Sequence, residues 1–282
     1  MKTKISTGIM LSIIILTIAF CTKKDDSKPV PVVVQNQHQL GFAPATAAQT
    51  ASINTATPIF GGDLPSVFIL DMPPAGYQGA LNSCTSWSSS YATETFYMNT
   101  ADKTFYQTSA NLCCPNYVYN QLVQGGCIST SFPDNLNLLI SQGVCSQSDM
   151  PYVDNNCTTQ PNATQIEKAS HNKISKYELI NKNDIGQLKT RLYSGFPIMI
   201  GINVDENFDN IGPPNYLWSA VGTNIRGGHA VTVTGYDDTK SAFKVINSWG
   251  TGWGDNGYLW ISYSIFPNVV IGSECYIAYP IF

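Results

Sequence analysis

The hydrophobic and polar positions change texture three times along the chain. Lys2 and Lys4 precede an apolar run from Gly8 to Phe20, broken only by Ser12 and Thr17, which is shorter than the roughly 20 residues a membrane-spanning helix needs. It reads as an export signal over residues 1–20. From Ser27 to Gly62 the chain is rich in Pro, Val, Gln, Ala and Thr with no helical spacing, which predicts an extended tether able to reach on the order of 100 Å. A helical period begins at Cys84: Cys84, Trp87, Tyr91, Thr95 and Met98 form one stripe, with Asn82 and Ser83 as cap candidates. Further on, Ile225–Tyr236 alternates as a strand around His229, and Phe243–Gly250 reads as the returning strand of a hairpin. That pairing sets His229 beside Asn247.

Composition narrows the classes. In 282 residues, 43% are hydrophobic and 12% charged, with a net charge of -4, so the chain has the means to bury a core and is not disordered. The longest basic block is the pair Lys23-Lys24, which excludes the basic face of a nucleic-acid binder. Cys21 closes the apolar run and is similar to the acylated cysteine of a bacterial lipobox, although Phe20 stands where a small residue is usual; Lys23-Lys24-Asp25-Asp26 resembles a surface-export signal. The expectation is a lipid anchor on Cys21 over a tether of residues 21–62, and an outer-membrane lipoprotein at the cell surface, with periplasmic or secreted placement as the alternative. No internal repeat divides residues 63–282, which are read as one folded domain.

The candidate chemistry lies in that domain. A thiol in the first turn of a helix meets the positive end of the macrodipole, which favours thiolate. Taken alone, Cys84 is as well explained by an inert buried cysteine, and His229 by a packed core histidine. The agreement of three separate segments changes this. Gln78-Gly79 six residues before the thiol, Asn82-Ser83-Cys84, Gly228-His229-Ala230-Val231, and Asn247-Ser248-Trp249-Gly250-Thr251-Gly252-Trp253-Gly254 together resemble the papain-like cysteine peptidases. His229 follows Cys84 by 145 residues, inside the interval of about 130–150 for that family. Gly143-Val144-Cys145 with Met150-Pro151-Tyr152, and Asp184–Lys189 before Gly195-Phe196-Pro197-Ile198, are similar to bacterial members.

The resemblance implies an α+β fold of two lobes, a helical lobe over about 70–161 and a β-barrel-like lobe over about 166–282, with the active-site cleft between them. It implies a Cys84 nucleophile, His229 as acid and base, Asn247 holding the imidazole, and Gln78 as oxyanion donor. Asn82, Ser129, Thr130, Gly228 and Trp249 occupy the substrate-facing positions. The chain departs from the family pattern at Asn82, where Gly is usual, at Thr85, where an aromatic is usual, and at Gly126-Cys127-Ile128-Ser129-Thr130, where the family has a glycine-rich wall. Five cysteines crowd into Cys113–Cys157, where the pairings expected are Cys145 with Cys157, and Cys127 with Cys113 or Cys114; the family's usual partner of Cys127 is replaced by Leu81. The three histidines, His38, His171 and His229, are scattered, so neither a metal nor another cofactor is expected. Thr22–Gly62 lacks the amphipathic pattern of the family's helical inhibitory segment, so no ordinary zymogen control is expected. The partners implied are a protein or peptide substrate and a membrane, with the chain as a monomer. A catalytically silent peptide-binding lipoprotein and a transamidase using the same acyl-enzyme remain as rival readings.

Overall fold

The computed structural model describes residues 37–60, 62–102, 106 and 108–281. The signal at residues 1–20, Cys21 and the tether up to residue 36 lie outside them. Helix α1 (Ala47–Ser52) comes first, then the short strand β1 (Val67–Ile69). Helix α2 (Cys84–Ser86) runs through π-helical turns at Trp87–Glu94 into α3 (Thr95–Asp102), and α4 (Pro115–Val123) and α5 (Phe132–Ser141) complete the helical lobe. After α6 (Ala163–Ala169), the second lobe contains β2 (Ile174–Leu179), α7 (Ile185–Tyr193), β3 (Ile198–Val204), β4 (Leu217–Trp218), β5 (Gly227–Asp237), β6 (Ala242–Ile246), β7 (Tyr258–Ser262) and β8 (Val270–Pro280). The strand order is β2-β8-β3-β5-β6-β7-β4, with β1 on β5. This path stays open, so the barrel-like closure expected for the second lobe is not adopted.

The helix from Cys84 is buried on nearly every side through Tyr97, so its stripe marks no single face. Such burial is tolerable because its many small hydroxyls bond back to the preceding turn: Ser89 Oγ donates to Thr85 O, and Ser90 Oγ to Ser86 O. Ser88 Oγ instead donates to Val231 O at 3.1 Å and contacts Thr232 Oγ1 at 2.8 Å. These bonds fasten the helix to β5, two and three residues beyond His229. The hairpin of β5 and β6 pairs Thr232 with Ile246, and the chain leaves β6 at Asn247.

Two sequence expectations need correction. The disulfide joins Cys127 to Cys157, whereas Cys113, Cys114 and Cys145 are buried free thiols. The reason is local. Cys127 follows Gly125-Gly126 in a left-handed turn that brings it, with Cys157, over Leu81 and Tyr119, while Cys145 lies along Cys114, whose N–H donates to its carbonyl.

The second correction concerns the tether. Residues 37–60 pack on the domain, so the folded unit starts near Gln37 and not at Asp63. Thr46 caps α1 with a reciprocal bond to Gln49, Thr55 bridges Leu179 of β2, and Ala56 is buried. An extended segment that pairs with an existing sheet edge needs no amphipathic period of its own, so composition alone could not distinguish it from a free tether.

Candidate active site

Cys84, at the start of the buried helix, is bonded to β5 at Ala230, the residue after His229, and neither the thiol nor the imidazole is exposed. The His229 Nε2 lies 2.8 Å from Asn247 Oδ1. That oxygen also accepts the Ser248 N–H, so the carboxamide presents an acceptor and the imidazole proton sits on Nε2. Nδ1 has no hydrogen-bond partner. The thiol Sγ accepts from the Ala230 N–H at 3.4 Å. Trp249 packs on His229 with ring centroids 4.8 Å apart, and Trp253 packs on Trp249; both exclude water from the imidazole–carboxamide bond.

Burial dominates the electrostatics. Cys84 is pushed up to about 12, with backbone hydrogen bonds opposing only in part. His229 is pushed down to about 3, the bond to Asn247 working against its desolvation. Both shifts keep the neutral forms, thiol and imidazole.

A strap at residues 37–43 is bonded along the cleft. Four consecutive carbonyls of this segment accept hydrogen bonds from the cleft. His38 O takes a bond from Arg226 Nη2 at 3.0 Å, Gln39 O from Trp249 Nε1 at 3.0 Å, Leu40 O from Gln78 Nε2 at 2.9 Å, and Gly41 O from the Thr130 N–H at 3.1 Å. The strap's own donors are used as well, Phe42 N–H to Gly228 O at 3.3 Å and Ala43 N–H to Thr130 O at 3.0 Å. The His38 ring stacks on Trp249, 4.7 Å between centroids. Phe42 enters an apolar pocket beside Phe132, with Gly201 as a wall, where an added Cβ would stand 2.3 Å from the Phe42 ring. Gly228 also has to be glycine-sized, because a Cβ there would lie 2.8 Å from Phe42 O.

Of the site residues named from the sequence, Cys21 lies outside the described residues, and Gln78, Asn82, Ser129, Thr130, Gly228 and Trp249 line the cleft or bond the strap. Asn82, Ser129 and Gly228 line it together with the strap, and Asn82 Nδ2 holds Cys127 O. Gln78 is fixed at both ends, its Oε1 accepting from Ser248 Oγ at 2.7 Å while Nε2 also reaches Leu81 O. Thr85, noted only as a departure, has a role: its Oγ1 donates to Thr130 O at 2.9 Å and holds the cleft wall. The sequence reading missed His38, Leu40, Phe42 and Arg226. Phe42 beside Gly41 carried no distinguishing signal, because Phe60, the other phenylalanine of the expected tether, is fully exposed.

Among the described residues no group of three or more His, Cys, Asp or Glu side chains is placed to hold a metal, and no helix is long and apolar enough to cross a membrane.

Comparison with known proteins agrees with this geometry. The profile of the papain family cysteine proteases matches residues 71–279. The gamete and mating-type specific protein A of Dictyostelium discoideum is 29% identical over 194 residues, 68% of this chain and 40% of its own length. Peptidase 1 of Dermatophagoides farinae is 28% identical over 234 residues, 77% of this chain and 64% of its own length. The chain thus spans less than two thirds of either relative. Among solved structures, xylellain, a cysteine protease from Xylella fastidiosa, has a TM-score of 0.75 at 22% identity, covering 89% of this chain and 100% of its own. A procathepsin B from Trypanosoma congolense has a TM-score of 0.68 at 19% identity, covering 86% and 87%. At those identities the likeness is one of fold. The profile spans most of the chain: the chain belongs to the papain family of cysteine proteases.

Proposed function

We propose that the protein is an exported cysteine endopeptidase, anchored through an acylated Cys21, that hydrolyses peptide bonds in the cleft between its lobes. The observation that carries this reading is the environment of one carbonyl. Leu40 O lies 2.9 Å from Gln78 Nε2 in the cleft that also contains Cys84 and the His229–Asn247 pair, so a peptide carbonyl is already held by the group expected to stabilise an oxyanion. Cys84 first gives its proton to the open Nδ1 of His229, forming imidazolium, and attacks such a carbonyl as thiolate. Electrons move onto the carbonyl oxygen, which Gln78 Nε2 and the Cys84 backbone N–H stabilise, and loss of one such donor costs on the order of 10²-fold or more in rate. The tetrahedral centre collapses as His229 gives its proton to the leaving amine, leaving a thioester. Water, deprotonated by His229, then releases the acid. Asn247 orients the ring throughout without adding charge.

Selectivity follows from the pocket that Phe42 fills. Thr130 and Gly228 supply backbone bonds, Asn82 and Ser129 form the rim, Trp249 flanks the reacting carbonyl, and the Phe132–Gly201 pocket takes an aromatic side chain. Gly201→Val is expected to fill that pocket and turn the preference from Phe towards Ala by roughly 10- to 100-fold in the ratio of kcat/KM, a methylene-scale discrimination, measured with paired fluorogenic peptides.

The test of the function is a peptide library incubated with the full chain, or with its Phe42→Ala variant, in reductant and with an added amine. New free carboxyl termini support hydrolysis. Amine-tagged termini would support transamidation, and intact peptides that bind without being cut would support the silent binding protein.

A further inference from the structure

We infer that the N-terminal strap is two devices joined by a hinge at Pro44: a latch, residues 38–43, that lifts to open the cleft, and a belt, residues 45–60, that stays docked as a permanent part of the active enzyme. This deepens the peptidase reading and rests on it for the meaning of an open cleft.

The two parts differ in what replaces them when they leave. The latch bonds use groups that line the cleft, Gln78 Nε2, Trp249 Nε1, Arg226 Nη2, the Thr130 backbone and Gly228 O, and Arg226 also keeps its ion pair with Asp209 when the latch leaves. A peptide substrate offers the same carbonyls and N–H groups, so these partners are satisfied again once the latch is exchanged for substrate. Only Phe42 of the latch has a deeply buried side chain, and its pocket is refilled in the same exchange.

The belt has no such substitute. Ala56 N–H donates to Leu179 O at 2.7 Å, and Leu179 N–H to Asn54 O at 2.9 Å, which covers the edge of β2. Gln187 bonds Ile59 in both directions, each at 2.9 Å. Arg191, itself buried, donates from Nη2 to Thr57 O at 2.6 Å. None of these groups faces the cleft, so removing the belt strands a buried guanidinium and bares a strand edge with nothing to take its place.

Between the two parts the chain is suited to bending. Pro44 is exposed and has no N–H to lose. On the far side the belt is fixed at once by Ala45 N–H to Glu274 Oε1 at 2.7 Å and by Gln49 Nε2 to Asp134 Oδ1 at 2.9 Å.

Two substitutions in the full chain separate the parts. Phe42→Ala is expected to raise peptidase activity about 10-fold or more while lowering the melting temperature by only a few degrees, the loss of latch docking. Ala56→Arg, which drives the belt off, is expected to lower the melting temperature by several degrees without raising activity per folded molecule. Activation by Ala56→Arg at an unchanged melting temperature would overturn the inference, because the whole strap would then be a removable inhibitor. Iodoacetamide labelling of Cys84 in the same samples separates the two readings. If Phe42→Ala speeds labelling yet no variant cuts peptide, the latch stands and the peptidase reading falls; if labelling is unchanged, the latch falls.

Discussion

Cys84→Ala is expected to abolish peptide hydrolysis, with a loss of at least about 10⁴-fold in kcat/KM measured on the unlatched Phe42→Ala background. The size follows from what the thiol does. Without it no thioester forms, and the remaining machinery, an oxyanion donor at Gln78 and a base at His229, can only assist attack by water. When residues act as one unit, loss of the nucleophile alone costs about as much as loss of the whole set. Binding should survive, because the Phe132–Gly201 pocket and the Thr130 backbone are untouched, so a peptide with Phe at the selected position should still bind the variant. Hydrolysis above 1% of the parent rate, at equal folded concentration, would remove Cys84 from the reaction.

The second large effect is in the reactivity of the thiol before and after the latch lifts. In the closed chain burial pushes Cys84 up to about 12, so the thiol form dominates at pH 7, and the latch also blocks access. Readmitting water removes the desolvation that holds Cys84 up and His229 down, and the helix start then favours the ion pair. Lower basicity weakens the thiolate as a nucleophile, which takes back part of the gain. Labelling by iodoacetamide at pH 7 is therefore expected to be at least about 100-fold faster in Phe42→Ala than in the parent. The profile is as informative as the rate: about tenfold per pH unit through neutrality in the closed chain, nearly flat in the open one. Peptide mapping assigns the label to Cys84 and excludes the buried Cys113, Cys114, Cys145 and Cys275.

The same shifts fix how pH acts on the latch. Thiol with imidazole and thiolate with imidazolium carry the same number of protons, so closure is indifferent to pH near neutrality. In acid the open cleft holds imidazolium beside thiol, one proton more than the closed cleft, whose His229 is at about 3. Falling pH therefore favours opening until it reaches that value. His38 acts in the same direction: closure lowers its pKa through burial and the nearby Arg226, so its protonation also favours opening. In alkali the open pair gives up a proton that the closed thiol keeps, which favours opening again. Closure is thus tightest in the middle of the range.

Much of this site was legible because its parts are tied to local signals. Cys84 falls where a Pro- and Gly-rich loop gives way to a helical period, and His229 and Asn247 fall on two strands whose alternation predicts a hairpin. The periods place the elements, and the chemistry of thiol, imidazole and carboxamide then selects among the residues on them. The disulfide could not be read, because the choice between Cys157 and Cys113 or Cys114 depends on a left-handed turn at Cys127 and on which loop crosses Leu81. The strap was hidden for a different reason. Its order comes from hydrogen bonds made by main-chain groups, which every residue has, so its sequence has no period to find. Even Gln78, read from the sequence as an oxyanion donor, gave no hint that Ser248 holds its other end.

That last contact has a wider consequence. Asn247, Ser248 and Trp249 are adjacent in sequence, yet they reach the base on one lobe, the oxyanion donor on the other, and the segment lying between them. One short turn therefore works as a gauge for the width of the cleft. If the lobes move apart, proton transfer and oxyanion stabilisation lose alignment together, and the enzyme passes from competent to silent without a half-working intermediate.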